Sequence, residues 1–186
     1  MTNNMNPEAL LVLFIGLIAL GLFGFSLIFT FFRLVEVFLP LFFHGGLYVP
    51  SKNRSVKKMI ALLEIKEGEK AVDLGSGDGR IVIALAQAGA QAYGYEINPF
   101  LVMKSRKKIK ELGLEKSAFI FQKNFWKEDL SEFDAVTVYG LPNMMKGLEN
   151  KLSKELRPNT KVALSAFGFP SWKCAKKEEE VSLYLK

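Results

Sequence analysis

From residue 70 onward, short apolar runs alternate with stretches whose apolar residues recur at helical spacing. Residues 70–74, 91–97, 118–123, 133–139, 161–167 and 181–185 are predicted strands. A helix is expected over residues 80–88. A second opens at Asn98-Pro99, a capping residue followed by proline at the first helical position, and stops at Gly113. Its inward positions are Leu101, Val102, Ser105, Ile109 and Leu112. A third runs from Pro142 or Asn143 to Leu156, and residues 172–175 are the expected hairpin partner of the last strand. Ahead of these, Ser55 is the expected cap of a helix reaching about Glu64, with Val56, Met59, Ile60 and Leu63 on one face. Strands alternating with helices predict an α/β fold, a mostly parallel sheet with helices on both faces.

The N-terminal pattern is different. Residues 9–32 are 24 positions without a charge. At about 1.5 Å per residue such a helix exceeds the roughly 30 Å hydrocarbon core of a bilayer. A cleaved signal peptide would need basic residues before this run and a small-residue cleavage site after it. No Lys or Arg precedes it, and its far end is Phe31-Phe32-Arg33, so the segment reads as an uncleaved, single-pass anchor. Lys and Arg lie only on its C-terminal side, at Arg33, Lys52, Arg54, Lys57 and Lys58, which predicts that the following domain faces the cytoplasm. Residues 34–43 extend the helix, lie in the interface or begin a re-entrant turn at Pro40. His44 reads as an interfacial residue. The turn-rich stretch from Gly45 to Ser51 separates an anchor, residues 1–44, from a domain, residues 45–186.

Composition adds limits. The net charge is +6, which permits contact with an anionic lipid surface or nucleic acid and proves neither. With one Cys and one His, an intramolecular disulfide is impossible and a structural zinc site is not expected. No metal is expected.

Candidate chemistry gathers at the ends of the strands. Asp73 closes an apolar run, and Gly75, Ser76, Gly77, Asp78 and Gly79 follow before the helical pattern starts. A strand, a tight glycine turn and a helix start let backbone approach a nucleotide-like ligand closely. A dinucleotide fingerprint would need Gly or Ala where Arg80 stands. Glu96 ends the second strand, 17 residues beyond Gly79, where a carboxylate can accept hydrogen bonds from two ribose hydroxyls. Asn124 closes the third strand and could bond an adenine amino group while Phe125 or Trp126 packs on the ring; all three also read as loop and core residues. Asp134 reads as structural. Tyr139, at the exit of the fourth strand, could orient an amine or pack apolar neighbours.

The glycine block after an acidic strand end looks like motif I of class I methyltransferases, which bind S-adenosylmethionine. The ordered set is more specific. Val72 to Ile81, Gly94-Tyr-Glu-Ile-Asn-Pro-Phe-Leu-Val102 with Ser105-Arg106, Tyr48-Val-Pro50, Phe125-Trp126-Lys127, residues 148–152 and the run from Phe167 to Trp172 together resemble a family of membrane-anchored protein-lysine methyltransferases. Its eukaryotic members modify the c subunit of ATP synthase and the adenine nucleotide translocase. The resemblance implies a Rossmann-like fold and S-adenosyl-L-methionine as cofactor. Asp73, Gly75, Ser76, Gly77, Gly79 and Glu96 would be cofactor contacts, with Asn98 beside them and with Asn124 standing where an aspartate is more usual. The expected partners are the membrane and a protein substrate offering a lysine side chain, rather than nucleic acid. A small-molecule or lipid methyltransferase at the membrane surface is the alternative.

Overall fold

The computed structural model describes residues 6–42 and 51–186. His44 and the predicted boundary from Gly45 to Pro50 lie outside the described residues. The chain divides into two compact units between Leu39 and Pro40, and the first holds most of the helix α1, Pro7–Phe42. Within it, Leu10–Val35 is 26 residues long with a mean hydropathy of 2.7 and no charge except Arg33. It is long and apolar enough to cross a membrane, and its apolar side chains from Leu10 to Leu34 are exposed. Of the options for residues 34–43, α1 takes the first and continues through Pro40 to Phe42.

The other unit is the α/β domain. Its elements are α2 (Asn53–Leu63), β1 (Lys70–Leu74), α3 (Arg80–Gln87), β2 (Gln91–Glu96), α4 (Pro99–Glu111), β3 (Ala118–Gln122), β4 (Ala135–Tyr139), α5 (Met145–Glu155), β5 (Lys161–Ser165), β6 (Lys176–Glu178) and β7 (Val181–Leu185). The sheet order is β3-β2-β1-β4-β5-β7-β6. The first five strands are parallel, and β7 pairs antiparallel with both β5 and β6. Strand order reverses at β1, which lies between β2 and β4, and a crevice for ligands opens at such a switch point.

Two cores sandwich the sheet. On one face α2, α3 and α4 bury Met59, Leu63, Val82, Leu85 and Ile109 against Ala71, Ala92 and Ile120. On the other, α5 buries Leu148 and Leu152 with Val136, Val162 and Phe133. Phe133 is fully buried, with its ring edge-on to Tyr93 at 5.4 Å and to Tyr95 at 6.3 Å.

Several expectations need correction. Ser55 does not cap α2, which begins at Asn53; its Oγ donates to Glu180 Oε1 at 2.6 Å and ties the helix to the β6–β7 turn. Leu62 is buried, whereas Ile60 is only partly so. Leu112 is not inward: α4 ends at Glu111, and Leu112 is about half exposed. β4 starts at Ala135; Asp134 just before it still bonds through its backbone to Lys70 O and Lys161 N (2.8 and 3.0 Å), and its carboxylate accepts from Lys70 N and Arg157 (both 2.9 Å). α5 starts at Met145 after a short 3-10 turn, Pro142–Met144. The hairpin partner of β7 is β6 rather than residues 172–175. Glu178 pairs with Val181 across a tight turn in which Glu179 takes φ +53°, so the partner strand must lie immediately before it. Trp172 stacks on Phe169 at 5.3 Å instead.

Candidate functional site

The glycine loop leaves β1 at the switch point. Gly75 N and Ser76 N both donate to the Tyr95 carbonyl (2.9 and 3.0 Å), and Gly79 N donates to Ser76 O. The chain turns through positive φ at Gly75, Gly77 and Gly79, conformations that cost other residues about 1–2 kcal/mol each. Two glycines also make room. A Cβ on Gly79 would lie 2.7 Å from Ser105 Cβ, and one on Gly94 would lie 2.7 Å from Ser76 Oγ. The loop is thereby seated against α4 and β2. Gly75 differs, because a Cβ there meets nothing within 4 Å. Its face is the open side of the loop.

Glu96 holds the loop from β2. Its Oε2 accepts from Gly77 N and its Oε1 from Asn98 N, both at 2.8 Å, and the residue is 7% exposed. A carboxylate oxygen accepts more than one hydrogen bond, so each keeps acceptor capacity. Asn98 is buried and caps α4, its Oδ1 accepting from Phe100 N at 2.9 Å. Ser76 is buried with its hydroxyl against Gly94, and that Oγ has no hydrogen-bond partner.

Asp73 is 2% exposed. Burial pushes its carboxyl up to about 7, against the opposing hydrogen bond from Thr137. Thr137 Oγ1 donates to Asp73 Oδ1 at 2.8 Å from the paired position on β4. At Asp78 burial also works against the anion, but the hydrogen bonds and charge of Arg80 outweigh it and hold the carboxyl below its ordinary range. Arg80 grips Asp78 through Nε and Nη2 (both 2.9 Å) and reaches the Ser51 carbonyl at 2.6 Å.

Lys123 N donates to the Glu96 carbonyl at 3.0 Å, so β3 delivers Asn124 beside Glu96. Asn124 Oδ1 accepts from Trp126 N at 3.1 Å and caps the short turn Phe125–Lys127. Phe125 is half-buried against Trp126, with ring centroids 5.0 Å apart. Tyr139 is half-buried at the end of β4, one residue past the Leu74–Val138 pair and level with the start of the loop. The predicted residues therefore converge on the carboxyl ends of β1, β2, β3 and β4. Sequence reasoning misses Thr137, because its pairing with Asp73 depends on β1 and β4 being neighbours. It also misses Gly94, although glycine inside a strand signals a close approach.

Comparison with known proteins accords with this geometry. The ANTKMT methyltransferase domain family matches residues 73–176. The chain is 42% identical over 125 residues to the lysine N-methyltransferase of the ATP synthase c subunit from Rattus norvegicus, covering 67% of this chain and 57% of the rat protein. It thus spans little more than half the length of that relative. It is 35% identical over 127 residues to a protein-lysine N-methyltransferase of Saccharolobus islandicus, covering 67% of this chain and 79% of that one. A crystal structure of an RNA methyltransferase from Salinibacter ruber, in complex with S-adenosyl-L-homocysteine, superposes with a TM-score of 0.68 at 36% identity over 74% of this chain and 92% of that one. The sheet order, the glycine loop with its glutamate, and these relatives agree that the chain has the class I methyltransferase fold and belongs to the ANTKMT methyltransferase domain family.

Proposed function

We propose that this chain is an S-adenosylmethionine-dependent protein-lysine N-methyltransferase working at a membrane. The observation that carries the reading is kinship with named protein-lysine N-methyltransferases across most of the α/β domain. The site residues fit the cofactor. The open face of Gly75 gives room for close approach, and Glu96 offers acceptor capacity to two ribose hydroxyls. Asp73 would face the α-ammonium, whose positive charge favours the ionised carboxylate that burial opposes. Asn124 and Phe125 would bracket the adenine, and Gly77, Gly79, Ser76 and Asn98 would shape the loop around it. When bound, the cofactor supplies an electrophilic methyl group to an in-line displacement.

The protein's part is to hold donor and amine in line, which contributes up to roughly 7–11 kcal/mol. A lysine amine titrates near 10.4 and must be neutral to attack, so the site has to desolvate it or place a hydrogen-bond acceptor beside it. Tyr139 is the residue we assign to orienting the amine. The helix α1 would anchor residues 45–186 to the membrane in a single pass. The basic residues that follow it support a cytoplasmic domain. The c subunit of ATP synthase and the translocase are named in the relatives alone, so here the substrate class is a membrane-associated protein.

RNA as acceptor is the second reading, favoured by the Salinibacter relative, an RNA methyltransferase. Incubation of the purified chain with labelled donor and isolated membranes separates the two. Label in protein supports the proposal; label in extracted RNA or lipid, with none in protein, overturns it.

A further inference from the structure

The outer face of α4 is built for a charged surface. Met103, Lys107 and Lys110 succeed one another at i, i+4 and i+7 along its midline, with Lys104 and Lys108 along one side of it. All are exposed, Met103 by 66%. Among the described residues, the only ion pair these lysines make is a loose 3.8 Å contact between Lys107 and Glu111. The helix has one arginine, and its guanidinium is turned inward onto the Ile120 carbonyl at 2.7 and 3.0 Å.

We propose that this face of α4 docks on anionic phospholipid headgroups; the inference rests on the membrane reading above. Charge complementarity selects an anionic partner. The exposed methionine amid the lysines selects lipid over RNA, since it can enter the interfacial layer and meets nothing apolar on a phosphate backbone. RNA surfaces also rely on stacking aromatics or free guanidiniums, and this face presents neither. A membrane-anchored domain meets headgroups at high effective concentration, so modest attraction per lysine suffices to orient it.

The full chain in nanodiscs of phosphatidylcholine, with or without phosphatidylglycerol, is acetylated at lysine and read by mass spectrometry. Lys104, Lys107 and Lys110 are expected to react about fivefold more slowly in the anionic discs and to recover at high salt. Lys154, exposed on α5 across the sheet, is expected to be unchanged. Equal rates in both lipids overturn the proposal. So does protection that appears only when RNA is added to phosphatidylcholine discs. If the chain fails to enter discs, the anchor reading fails; protection by added phosphatidylglycerol vesicles would then still sustain the α4 assignment, and no protection would end it.

Discussion

Replacing Glu96 by glutamine tests the centre of the site. The carboxylate accepts two buried backbone N–H groups, at 2.8 Å each. Alanine would leave both unpaired and loosen the loop, which mixes a folding defect with a binding one. Glutamine keeps the volume and one acceptor, and turns an NH2 group toward the other donor. One charge-assisted bond is lost, about 1.5–3 kcal/mol, equivalent to a fall in melting temperature of about 5–10 °C for a domain of this size. If Glu96 also accepts the ribose hydroxyls, donor affinity falls by a second increment of similar size, roughly 10- to 150-fold. Calorimetry with S-adenosylhomocysteine and its 2′-deoxy counterpart separates the two effects. The wild-type chain should prefer the hydroxylated ligand by that factor, and Glu96→Gln should lose the preference. Equal discrimination by both proteins would reduce Glu96 to a brace for the loop.

Three further outcomes are expected. Asp73 titrates near 7 when folded, against an ordinary value of 3.8, so the folded state binds its proton more tightly. The ligand-free domain should therefore lose stability as pH rises from about 4 to 7, by no more than about 4 kcal/mol, while affinity for S-adenosylhomocysteine should fall about tenfold per unit below pH 7; calorimetric binding and thermal melts across this range check both. Gly79→Ala and Gly75→Ala share positive φ but should diverge: the first collides with Ser105 and lowers the melting temperature, with partial rescue by Ser105→Gly, whereas the second folds with a loss of about 1–2 kcal/mol and fails in ligand binding. Phe133→Ala should cost about 3–5 kcal/mol in denaturant unfolding, since the ring is fully buried between two tyrosines.

Much of this architecture is legible in the sequence because the strands are short apolar runs and the helices carry their own stop signals. Lys70–Leu74 and Val181–Leu185 fall where the pattern puts them, and Asn98 caps α4 as its position before Pro99 predicts. Glu96 is legible from its distance to the glycine loop. What escapes depends on neighbours distant in sequence. Ser55 looks like a cap until the hairpin brings Glu180 beside it. Leu112 fits an inward spacing but falls past the end of α4. Thr137 is one polar residue in an apolar strand, and its role follows from the strand order that pairs it with Asp73. Phe133 extends the fourth apolar run, yet β4 begins only at Ala135, and the Phe133 ring is fully buried in the core beside two tyrosines.

The most direct measurement is peptide mass spectrometry of membrane proteins incubated with the purified full chain and S-adenosylmethionine. The account predicts methyl groups on lysine side chains with wild-type protein and their loss with Glu96→Gln. Methylated nucleosides or lipids in the same reaction, with protein lysines unmodified, would contradict it.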